Sequence, residues 1–157
     1  MPVRFPSVEF FQSLQALMKA ERDRFRQLGY FDATVGVSVR GDALPGGAWQ
    51  AVLTFEVFDC VGVKPADLGT ETVDFTLDGD LGVWAEMLRN IKQHGAADTA
   101  HTVNTLTHFG EGLRCLYDDP DGHDKLYRFA ESVQEFFDLA AKLDFELPAA
   151  AGAAAHV

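Results

Sequence analysis

The sequence predicts an α+β domain in which antiparallel strands, with a mixed pairing possible, carry helices on one face. Three observations predict it. Hydrophobic residues make up 47% and charged residues 24% of 157 residues, enough apolar material for one core. Segments with period-two alternation lie between Val35 and Leu77, and segments with three-four spacing flank them. The alternating segments pair apolar with polar positions, the pattern of a sheet buried on a single side. The length fits one domain, placed at 1–147, and the Ala-rich stretch 148–157 reads as a flexible tail.

The first element is an amphipathic helix from Ser7 to Leu28. Phe11, Leu14, Met18, Phe25 and Leu28 form its stripe, with Phe10 and Leu17 beside it; Ser7 caps the start and Gly29 the end. Arg22, Arg24 and Arg26 suit the negative end of its dipole as a solvated terminus. Val35, Val37 and Val39 then alternate, Gly41 to Gly47 supply turn chemistry, and Trp49, Ala51, Leu53, Phe55 and Val57 alternate again: a hairpin. Val73, Phe75 and Leu77 make a third strand. Asp80 opens a helix carrying Leu81, Trp84, Leu88 and Ile91, closed by Gly95. A shorter helix is expected from Thr99 to Phe109, stopping at Gly110, and a short strand from Leu113 to Tyr117. After a turn at Asp118–Gly122, one last helix holds Leu126, Phe129, Val133, Phe136, Ala140 and Leu143 in three-four rhythm. Tyr127, Ala130, Phe137 and Ala141 form a second stripe beside it.

Charge narrows the function. Thirteen basic against 24 acidic residues give −11, a surface that repels phosphate backbones and anionic headgroups, so nucleic-acid binding and polybasic membrane docking are disfavoured. No stretch approaches the ~20 consecutive apolar residues of a spanning helix, so stable membrane insertion is not expected. The first residues lack a signal-peptide pattern, which predicts a cytoplasmic location. Cys60 and Cys115 stand apart and outside any CxxC spacing, reading as reduced thiols.

Catalytic signatures fail: there is no G-x-S-x-G turn, no H-E-x-x-H helix and no P-loop lysine. The acidic run Asp118–Asp124 would put Tyr117 and Pro120 at calcium-ligand positions, so helix capping explains it better. Asp98, His101, Thr105 and His108 share one helical face, yet histidines seven apart lie about 10.5 Å apart along the axis, too far for one metal ion. No cofactor or metal site is expected. The thirteen phenylalanines are the outstanding feature, paired as Phe10-Phe11 and Phe136-Phe137. Neighbours on a helix point about 100° apart, so each pair covers two surfaces: the sheet and a second helix, a partner or an apolar cavity.

Thr72–Leu88, TVDFTLDGDLGVWAEML, resembles the strand-to-helix junction of the type-two sterol carrier protein family, and Leu126–Asp138, LYRFAESVQEFFD, is similar to the last helix of its bacterial members. The resemblance spans Phe5 to Leu147. It implies a five-stranded sheet with helices over one face, and between them an apolar tunnel for a sterol, fatty acid or acyl-CoA. The lining it implies is Trp84, Leu88, Ile91, Phe136, Phe137 and Ala140. Ala141 joins Phe137 on a stripe facing the same cavity. The charge of −11 departs from the basic relatives, and Cys60–Thr70 and Leu113–Tyr117 match poorly, which suggests a divergent member with a reduced or repurposed pocket. The leading function is therefore non-catalytic binding of a hydrophobic small molecule or lipid. Two alternatives stand beside it: a small cone-fold isomerase or hydrolase using an Asp98–His101 acid–base pair, and a homodimeric interaction module without a ligand.

Overall fold

In a computed structural model, which describes residues 2–108 and 112–148, the strand-forming segments assemble into a five-stranded mixed sheet. β1 (Val3–Arg4) precedes α1 (Val8–Ala20) and α2 (Arg22–Leu28). β2 (Ala33–Arg40) and β3 (Ala48–Glu56) form the expected antiparallel hairpin, with Val35 opposite Leu53 and Val37 opposite Ala51. β4 (Asp59–Pro65) follows, then β5 (Phe75–Asp80), α3 (Leu81–His94), α4 (Val103–His108), β6 (Arg114–Leu116), α5 (Pro120–Arg128), α6 (Ala130–Asp138), a 3₁₀ turn over Leu139–Lys142 and β7 (Phe145–Glu146). The sheet order is β4-β3-β2-β5-β6, with β2 and β5 parallel and the other neighbours antiparallel. β1 and β7 pair in parallel as a separate two-stranded clasp.

Several expectations need correction. The first helix is broken at Glu21 (φ −111°, ψ 37°), whose carboxylate is held by Arg24 and Lys142. Arg24 also binds Glu135, so this arginine ties α2 to α6 rather than ending a helix in solvent. Val57 does not continue a strand: it sits at φ 61° in the turn between β3 and β4, and β4 itself is added. The last helix is interrupted at Phe129 (φ −110°, ψ 16°) and its start moves back to Pro120. Asp119 caps that start by accepting the Asp121 N–H at 3.0 Å, the capping role expected of the acidic run. Gly122 lies so close to the Asp74 carbonyl that no side chain fits there, which explains a glycine inside α5. The break exposes Tyr127, expected on the buried stripe, and Leu143 leaves the helix in extended backbone. Gly110 and the tail from 149 lie outside the described residues.

The apolar face of the sheet, Val35, Val37, Val39, Leu53, Phe55, Phe75 and Leu77, packs against α1, α3 and α6 in one cluster. The opposite face is crossed by the chain between β4 and β5, and Leu68 of that crossing seats on Gly36, where a Cβ would stand 3.1 Å from its side chain. Beneath it Ser38, Thr76 and Asp78 are buried. Asp78 receives Arg114 at 2.6 Å and Arg40 at 3.1 Å. Burial pushes its carboxyl pKa up, but the bonds from Arg114, Ser38 and Arg40 outweigh that and hold it below its ordinary range.

The segment before α4 is fastened to α3 and α6. His101 Nδ1 lies 2.6 Å from Asp98 and Nε2 lies 3.3 Å from Glu86, Asn90 and Asp98 exchange hydrogen bonds, and the Ala97 N–H reaches Asp138. Gln134 on α6 accepts the Val103 N–H at 2.7 Å.

Two outcomes follow. Gly36→Val suits a strand by propensity, but it crowds Leu68 and Thr76; it should lower stability by about 1–3 kcal/mol, read as an earlier urea midpoint with an unchanged slope. Burial disfavours charge on His101, yet its carboxylate partners raise its pKa above the ordinary 6.5. A raised folded value means the contribution is complete below 6.5 and is lost as pH rises through the folded value. Wild type should therefore exceed His101→Gln in melting temperature at about pH 5.5 and lose that margin by about pH 8.5; a margin independent of pH would contradict the charged bridge.

Candidate ligand interior and its two mouths

The residues expected to line a cavity come together between sheet and helices, and aromatic rings fill that space. Trp84, Leu88 and Ile91 on α3, Phe136 and Phe137 on α6, and Ala140 in the 3₁₀ turn are all buried. Phe137 lies 5.6 Å from Trp84 between ring centroids and 5.7 Å from Phe136. Ala141 departs from this group. The helix tightens to 3₁₀ at Leu139, so Ala141 reaches the rim, half-buried, where its carbonyl accepts a bond from Lys92.

The interior extends beyond those positions. Phe129 meets Phe31 at 5.2 Å, Phe31 stacks on Phe55 at 4.4 Å, and Phe55 meets Phe136 edge-on at 5.0 Å. On the other side Trp84 meets Phe5 at 6.2 Å, Phe5 meets Phe10 at 5.0 Å, and Phe10 meets Phe145 at 5.6 Å. Phe11 bridges Phe137 to Trp49, on which it stacks at 5.5 Å. A continuous aromatic row thus runs through the layer. The Trp84 indole N–H is satisfied by the Ser38 carbonyl at 3.2 Å, which fixes the ring over the sheet.

Both ends of the row open on surface clefts. At one end Phe129 borders a cleft of about 780 Å³ with Leu28, Tyr30, Tyr127, Arg128 and Ser132. At the other end Phe5 borders one of about 510 Å³ with Pro6, Leu44, Pro45 and Leu147. Neither cleft is lined by the seven expected positions; those lie between the two. Sequence reasoning missed Phe5, Phe31, Phe55 and Phe129 as parts of this interior. The excess of phenylalanine was visible, but which of them face one another depends on strand pairing and on the break at Phe129.

Other chemistry lies elsewhere. The Asp98–His101 pair forms, but it lines none of these clefts and is bound up in fastening the α4 segment. A smaller cleft of about 320 Å³ on the opposite sheet face is floored by Ser38, Thr76 and the ion-paired Asp78. Burial raises the pKa of Cys60 to about 12 and of Cys115 to about 11, which keeps both as thiols. Among the described residues, no cluster of His, Cys, Asp or Glu is suited to a metal ion, and no helix is long and apolar enough to cross a membrane.

No protein-family model matches the sequence, and no curated protein matches it. Solved structures do. The crystal structure of sterol carrier protein 2 aligns with a TM-score of 0.63 at 18% identity, over 86% of this chain and 95% of that one. The solution structure of a conserved hypothetical protein from Thermus thermophilus, described as a sterol carrier candidate, aligns with a TM-score of 0.58 at 19% identity, over 85% and 84% of the two chains. At such identities the likeness is one of architecture, and it agrees with the resemblance carried by Thr72–Leu88 and Leu126–Asp138: the chain has a sterol-carrier-protein-like α+β fold.

Proposed function

We propose that the protein is a non-catalytic binder or carrier of a hydrophobic small molecule of the sterol, fatty-acid or acyl-CoA class, working in the cytoplasm. The ligand space is the layer between sheet and helices, where Trp84, Leu88, Ile91, Phe136, Phe137 and Ala140 lie, with Ala141 at its rim. The observation that carries the reading is the aromatic row joining two surface clefts. Rings in edge and tilted contact are held by many small dispersion terms rather than by hydrogen bonds, so an apolar chain can replace ring contacts with equivalent ones. Polar anchors such as the Trp84–Ser38 bond can stay in place while Phe137 and Phe5 swing aside. Likeness to sterol carrier protein 2 supports the same reading. The acidic surface favours pick-up of free ligand over docking on anionic membranes.

Native mass spectrometry of freshly purified protein should show a bound lipid, and oleate or cholesterol should raise its melting temperature, by up to about 2.7 kcal/mol of added stability at a hundredfold excess over Kd. Phe137→Ala should lose about 3–5 kcal/mol without ligand and show a larger ligand-induced rise than wild type, because the ligand fills the space left. A protein that carries no lipid and shifts with none of these ligands in either form would overturn the reading.

A further inference from the structure

The cleft at Phe129 differs from the one at Phe5 in its polar groups. Lys125 is held by Asp74 at 3.1 Å. Asp32 accepts the Val57 N–H at 3.1 Å. The Tyr127 hydroxyl is bonded to His108. Arg128 has no ion pair or hydrogen bond among the described residues, and its guanidinium carbon stands 5.9 Å from the centre of the Phe129 ring. Ser132, buried one turn further along, also borders the cleft. A free cation is thus poised where the charged rim meets the first ring of the aromatic row.

We propose that this cleft is a headgroup site for a single-chain amphiphile bearing a carboxylate. The head sits on the Arg128 fork with the Ser132 hydroxyl beside it, and the chain runs past Leu28 and Phe129 toward Phe31 and Phe55. A planar guanidinium matches the two oxygens of a carboxylate. The remaining charge sets the valence: Lys125 is neutralised by Asp74, while Asp32 and Glu131 also border the cleft. Arg128 is then the one free cation of the lining against two carboxylates, so a monoanion is repelled once where a phosphate dianion is repelled twice, and the smaller charge is favoured. An uncharged sterol hydroxyl can take a single hydrogen bond from Arg128 but forms no ion pair with it. The inference rests on the proposed ligand layer and adds the class of ligand it takes.

Titration calorimetry with dodecanoate and dodecanol, equal in chain and different in head, separates the two ideas. Wild type should prefer dodecanoate by about tenfold or more, the scale of one charge-assisted hydrogen-bonded pair. Arg128→Gln, at an exposed position, should abolish the preference by weakening dodecanoate much more than dodecanol, Arg128→Lys should restore part of it, and Glu131→Gln should strengthen dodecanoate more than dodecanol. Equal affinity for both ligands in wild type, or equal loss of both in Arg128→Gln, overturns the headgroup site and leaves the apolar layer standing. Failure of both ligands to bind wild type overturns the site together with the layer.

Discussion

Burial of a phenylalanine-rich layer against a single sheet face is the constraint on which the rest of the structure depends. Each such ring contributes about 1.5–3 kcal/mol when removed from water, and edge-to-face contact adds about 0.5–1.5 kcal/mol. Chain geometry yields to that demand. At Phe129 the helix gives up regular dihedrals so that the ring can reach Phe31, and at Glu21 a similar break separates α1, which carries Phe10 and Phe11, from α2, which carries Phe25. Ion pairs from Arg24 to Glu21 and Glu135 hold the broken ends together, securing an arrangement set by apolar packing.

The sheet separates two kinds of chemistry. On its helical side nearly every group is apolar, and the Trp84 N–H is satisfied by a strand carbonyl. On the other side a buried Asp78 is held by two arginines whose side chains remain exposed, and Gln50 bonds the Leu68 N–H to hold the crossing chain down. A buried carboxylate so paired adds little net stability, but losing both arginines would strand its charge, so the three residues together fix how β2, β5 and β6 sit relative to one another. Specific geometry thus resides in the polar face, and adaptable packing in the aromatic one.

Much of this was legible in the sequence where local physics decides. The β2–β3 hairpin follows from alternation on either side of a Gly/Pro turn, and α3 from its apolar stripe and the left-handed Gly95 that ends it. What escaped depends on distant contacts. Asp59–Pro65 lacks clean alternation, because Val61 faces solvent at an edge while Cys60 is buried, and pairing with β3 makes it a strand. The parallel β2–β5 pairing comes from a crossing that requires the bare Gly36 under Leu68. For the ligand interior, α3 and α6 revealed their faces by periodicity. Phe5 and Phe31 were hidden, since short connecting segments carry no rhythm, and Phe55 showed by alternation as a strand residue while its ring partners depend on distant packing. Ala141 misled because an ideal helix was extended through a 3₁₀ turn.

The clasp of β1 on β7 bears on how the chain reaches this state. Val3 pairs with Phe145, and Arg4 reaches Glu146 across 142 residues, so the two terminal segments meet only by closing nearly the whole described chain into a loop. Closure entropy for an open chain of that length is large, while hairpin contacts such as β2–β3 cost far less. The clasp is therefore a late event in folding, formed on a scaffold that already brings the ends together. Phe5 meets the row at Trp84 and Phe145 meets it through Phe10, so the Phe5 end of the aromatic layer is sealed last. For the native ensemble that order reverses: two-residue strands are expected to open at lower free energy than the central sheet, which makes the Phe5 end the expected place for the layer to open first.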